Sequence, residues 1–73
     1  MPKLPRVSGA EAVRALERAG WRVSRQRGSH VVLLKEGSIL SLSIPQHREL
    51  APGLLADQIR KAGLSGDEFI ALL

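Results

Sequence analysis

The run Val31-Val32-Leu33-Leu34 is the feature that most limits how this chain folds. It is held between turn signals at Gly28-Ser29 and Glu36-Gly37-Ser38. Four apolar residues between glycine turns make a strand rather than a helix, and a turn on each side makes it the middle strand of a meander. Consecutive apolar positions also leave both faces of that strand apolar, since side chains alternate across a sheet.

The flanking residues complete the pattern. Trp21-Arg22-Val23-Ser24-Arg25-Gln26 alternates with period two and predicts a strand over residues 21–26, followed by a turn at Arg27-Gly28-Ser29. The middle strand is expected over residues 30–35. A third is expected over residues 39–44, ended by Pro45, which cannot donate into a ladder. In that third strand Leu40, Leu42 and Ile44 alternate with Ser41 and Ser43, so one face alone is fully apolar.

Helices are signalled on both sides. Ser8-Gly9-Ala10-Glu11 has the Ser-x-x-Glu form of a capping box and predicts a helix over residues 10–19, stopped by Gly20. Pro52 suits the first turn of a second helix, running to about Ala62 and stopped by Gly63. A second box, Ser65-Gly66-Asp67-Glu68, launches a short C-terminal helix with Phe69, Ile70, Leu72 and Leu73. The expected class is α+β, one domain over residues 1–73: helix, three-stranded antiparallel meander, helix and a short extra helix. The helices cover the apolar face of the sheet. Val31–Leu34 then leaves two apolar residues on the open face, which suits a protein partner or self-association.

At 73 residues the chain supports one small core. It has no cysteine, which removes disulfides and thiolate chemistry and fits a reducing cytoplasm. No segment is long and apolar enough for a membrane span, and the basic start at residues 1–6 leads into no apolar signal region. Eleven Lys and Arg against seven Asp and Glu give a net charge of +4. Between Arg14 and Lys35 the cations Arg14, Arg18, Arg22, Arg25, Arg27 and Lys35, with His30 on protonation, meet a single acid, Glu17. Such a domain favours an anionic partner.

Gly28-Ser29-His30 places one of two histidines at the mouth of the first hairpin, directly after these arginines. Antiparallel register puts His30 opposite Ile44 or Pro45 on one side and opposite Arg25 or Gln26 on the other. Histidine moves protons near neutral pH and arginine clamps phosphate. Their juxtaposition suits scission of RNA, whose 2′-hydroxyl is its own nucleophile and needs no metal. The expected roles are His30 as general acid or base and Arg25 or Arg27 on the phosphate. Arg22, Gly28, Ser29, Lys35 and His47 complete the RNA-binding set, with His47 anchoring its loop or serving as a second proton carrier. The amides near Pro52-Gly53 offer a further phosphate site. Trp21 reads as core sharing a face with Val23 rather than as a base-stacking residue. Two histidines and Glu49 lack ligand spacing, so no metal or other cofactor is expected. A non-catalytic RNA-binding module and a basic protein-interaction domain remain as alternatives on the residues alone.

Ala19-Gly20-Trp21, residues 25–30, Ile44-Pro45-Gln46-His47, Glu49-Leu50, Pro52-Gly53-Leu54-Leu55 and residues 59–69 follow one another with characteristic spacing. In that order and spacing they resemble the HicA (YcfA-like) toxins of bacterial toxin–antitoxin pairs. The resemblance implies a fold like that of double-stranded-RNA-binding domains and a metal-independent endoribonuclease acting on mRNA. It also implies that His30, in the family's Gly-Ser-His motif, is catalytic, and that a HicB-type antitoxin masks the site. A homodimer or a heteromeric toxin–antitoxin assembly would fit. Leu54 and Ala56 depart from the threonine and basic residue common in relatives, and Asp57 follows, which weakens the second helix as a phosphate site. Arg60 and Lys61 are left as its only cations.

Overall fold

A computed structural model describes residues 4–73. Its first element, α1 (Gly9–Arg18), opens on the expected capping box: the Ser8 hydroxyl accepts from the Glu11 amide at 3.1 Å, and the Glu11 carboxylate accepts from the Ser8 amide at 2.9 Å. The helix ends as Gly20 takes φ +100° and the Trp21 amide reaches back to the Leu16 carbonyl. The chain continues through β1 (Arg22–Arg27), β2 (His30–Leu34), β3 (Leu42–Pro45), α2 (Pro52–Lys61) and α3 (Gly66–Ala71). The α3 start repeats the capping box with Ser65 and Glu68. Among the described residues no helix is long and apolar enough to cross a membrane.

The strands form one antiparallel sheet in the order β1-β2-β3, as the meander reading requires. Val31 pairs with Ile44 and Leu33 with Leu42, and all four are buried against the helices. Leu16 of α1, Leu55 of α2 and Phe69 of α3 are fully buried over them, so both long helices share one face. The other β2 residues face away: Val32 is half-buried and Leu34 is 41% exposed. The sheet is therefore open on one side, as expected from helices that cover a single face, and the apolar Val32 and Leu34 lie on that side.

Its two edges differ. On β3 the Ser43 amide donates to the side-chain oxygen of Gln58 at 3.0 Å, so α2 satisfies the edge with a buried polar group. On β1 every residue is exposed.

Three sequence expectations are corrected. The third strand starts at Leu42, not residue 39: Ile39 is fully exposed and Leu40 is 46% exposed. β2 has no partner left for them beyond Leu33, and residues 35–41 form a loop turned by Gly37 at φ +87°. The first strand runs over Arg22–Arg27, with Trp21 before it and buried; Val23 does share the core side, opposite Leu33, but on the edge strand it stays 46% exposed. The first hairpin also turns more tightly than supposed. Its loop is Gly28-Ser29 alone, with Gly28 at φ +58°, so His30 lies opposite Arg27 rather than Arg25 or Gln26.

Candidate functional site

His30 opens β2 between Arg27 on β1 and Pro45 on β3. Directly opposed residues of an antiparallel pair share a face. With Val31 and Leu33 turned into the core, His30, Val32 and Leu34 occupy the open side together with Arg27, Arg25 and Arg22, their respective partners. All three arginines and His30 are exposed. Among the described residues no carboxylate pairs with any of the three arginines, and no hydrogen bond engages the His30 ring.

The backbone behind His30 is fixed from two directions. The Gln46 amide donates to the Ser29 carbonyl at 2.6 Å, and the Gly9 amide at the start of α1 donates to the His47 carbonyl at 2.9 Å. The Gln46 side chain turns back to the Ile44 carbonyl, and the Gln26 side chain donates to the Gly28 carbonyl. Helix and loop approach so closely that a Cβ on Gly9 would stand 2.2 Å from the Pro45 carbonyl oxygen. The residue opposite His30 is thereby set by the first turn of α1. Gly9 was not legible as a site residue; the only hint is a glycine where a better helix former would serve.

Other expected members separate. Lys35 lies just past the far end of β2 and donates to the Ala19 carbonyl at 3.1 Å, capping α1 instead of facing phosphate. The start of α2 borders Leu4, Pro5, Arg6 and Glu49, and the ion pair of Arg6 with Glu49 puts a carboxylate there. Arg60 and Lys61 both pair with Asp57. α2 thus adds little to an anion site near His30. His47 holds the loop through its carbonyl while its side chain stays exposed. Trp21 is core.

What gathers on the open side is an exposed imidazole and guanidinium groups without anionic partners among the described residues, with Ser29 exposed in the turn just before His30. Imidazole transfers protons, and guanidinium binds the planar oxygens of a phosphoryl group in pairs. Among the described residues no group of three or more His, Cys, Asp or Glu side chains comes together.

A family model described as the HicA toxin of bacterial toxin-antitoxin matches residues 9–64. No curated protein matches the chain. Among solved structures, one chain of a toxin–antitoxin complex from Streptococcus pneumoniae is similar to it. The two share 30% identity and a TM-score of 0.71, over 80% of this chain and 98% of that one. The family match begins at the glycine that seats α1 on the His47 loop and runs through the sheet and α2. On that match, which takes in most of the chain, the protein belongs to the HicA toxins of bacterial toxin–antitoxin systems.

Proposed function

We propose that this toxin is an mRNA endoribonuclease of the cytoplasm in which His30 is the catalytic proton carrier. The carrying observation is the register that sets an exposed His30 directly opposite Arg27, on a face where three arginines lack anionic partners. The 2′-oxygen bonds to phosphorus, the bond from phosphorus to the 5′-oxygen breaks, and a 2′,3′-cyclic phosphate and a 5′-hydroxyl result. One proton leaves the 2′-hydroxyl and one reaches the departing oxygen; His30 performs one of these transfers as general base or acid. Arg27, assisted by the Ser29 hydroxyl, stabilises the charge that builds on the phosphoryl oxygens, and Arg25 adds binding beside it. Arg22 adds binding. Gly28 admits the turn that brings His30 to Arg27, and His47 anchors the opposing loop. The nucleophile is the substrate's own, so the route asks for no metal or cofactor.

A HicB-type antitoxin covering the open face would mask His30, and the exposed Leu34 beside the arginines gives it apolar surface to bury. A symmetric face-to-face homodimer would oppose two rows of arginine and is disfavoured.

Transcript cleavage by wild type and His30→Ala, with and without a chelator, tests the reading. General acid–base catalysis contributes about 10²–10⁴-fold, so His30→Ala is expected to lose that much rate, while chelator changes nothing. A His30→Ala protein that cuts at the wild-type rate ends the proposal.

A further inference from the structure

Regular alternation along β1 would put Arg22 on the opposite face from Arg25 and Arg27. The register shift between Val23 and Arg25 prevents this: Ser24 is the extra residue of a β-bulge. Arg22 therefore opposes Leu34, Arg25 opposes Val32 and Arg27 opposes His30. The three arginines stand in one line on the open face, in steps of about 6.7 Å, with His30 at one end. Beside this line Val32 and Leu34 are apolar, and β3, Leu42–Pro45, carries no charge. Among the strand residues the cations form a single row rather than a field.

We infer that this row is a track for three successive phosphates of one unpaired RNA strand, with the cut bond at its Arg27–His30 end. The position of the cut rests on the nuclease reading; the track rests on the row alone. One row serves one strand. Domains that hold duplex RNA contact successive grooves over about 16 base pairs, whereas this row spans about 13 Å. In-line attack by a 2′-hydroxyl also requires the nucleotide to leave helical stacking. Trp21 and Phe69, the chain's only Trp, Tyr or Phe residues, are both buried, so neither ring stacks bases on this face. Phosphate contacts carry no base identity. The track senses strandedness and length on one flank of the cut, not sequence.

Oligonucleotides with one ribose in an otherwise 2′-deoxy chain offer a single cleavable bond, and neutral methylphosphonates remove flanking charges one at a time. Neutralising the first and second phosphates on one flank is expected to raise KM, and on the other flank to leave it unchanged. Arg25→Gln should cancel the penalty at the first position and Arg22→Gln the penalty at the second. Arg14→Gln, on α1 behind the sheet, should cancel neither. For the uncleavable all-deoxy strand, three contacts give a slope of log affinity against log salt of about −2, and each arginine variant makes it shallower by about 0.7. Annealing a complementary strand should weaken binding. The expected salt slopes and preference for the single strand without any cleavage would retire the nuclease reading and leave the track standing. Equal penalties on both flanks, equal binding of duplex, or arginines that hold an acidic protein but no oligonucleotide would overturn the track.

Discussion

Gly9→Ala is expected to destabilise the protein although alanine is the better helix former. In an open helical site the same exchange stabilises by about 0.5–1 kcal/mol. At Gly9 the new Cβ would lie 2.2 Å from the Pro45 carbonyl oxygen and 2.8 Å from the Gln46 Cα, both backbone atoms. The shortfall is about 1 Å against the 3.4 Å at which ordinary contact begins, so helix and loop must part. Overpacking of this kind costs about 1–3 kcal/mol, and the Gly9–His47 hydrogen bond, worth about 1 kcal/mol, is lost with it. Net of the helix gain, about 1–3 kcal/mol of destabilisation remains, or roughly 4–8 °C in Tm per kcal/mol for a domain of this size. Gly53→Ala is the internal comparison: it too lies in the first turn of a helix, yet nothing stands within 4 Å of its Cβ. Thermal melts and urea titrations of both variants are the assay. A Gly9→Ala protein as stable as Gly53→Ala would refute the close-approach argument. Because Pro45 opposes His30, Gly9→Ala should also slow transcript cleavage at temperatures where it remains folded.

Two further outcomes follow from contacts elsewhere. Backbone amide bonds from Ser8 and Ser65 hold the Glu11 and Glu68 carboxyls below their ordinary value of 4.5. Their folded values being depressed, the stabilisation is complete above the ordinary value and fades as pH falls through the lowered ones. Urea midpoints measured from neutral pH to pH 3 should therefore fall more steeply for wild type than for the Glu11→Gln, Glu68→Gln double variant, and parallel curves would contradict the linkage. Lys35→Met should leave the salt dependence of oligonucleotide binding unchanged and lower stability by about 0.3–1 kcal/mol, through the lost cap on α1. A slope shallower by about 0.7 would return Lys35 to the RNA-binding set.

The sequence by itself determined the elements and their order, because each carries a local cause: two Ser-x-x-Glu boxes, glycines able to take positive φ at helix and hairpin ends, a proline where the second helix starts, and apolar periods of two or near four. It also singled out His30 and its arginine neighbours, since their chemistry needs no tertiary context to be recognised. Only the tertiary structure decided which residues share a face. A bulge at Ser24 brings Arg22 to the side of Arg25 and Arg27, which alternation alone would not, and a two-residue turn moves His30 from Arg25 or Gln26 to Arg27. The loss of pairing partners leaves Ile39 and Leu40 outside the sheet although Leu40 continues the alternation of Leu42 and Ile44. The physical reason is that helix signals act within about one turn of chain. Register, by contrast, is set by the sum of contacts between strands, where one extra residue exchanges the two faces of everything beyond it.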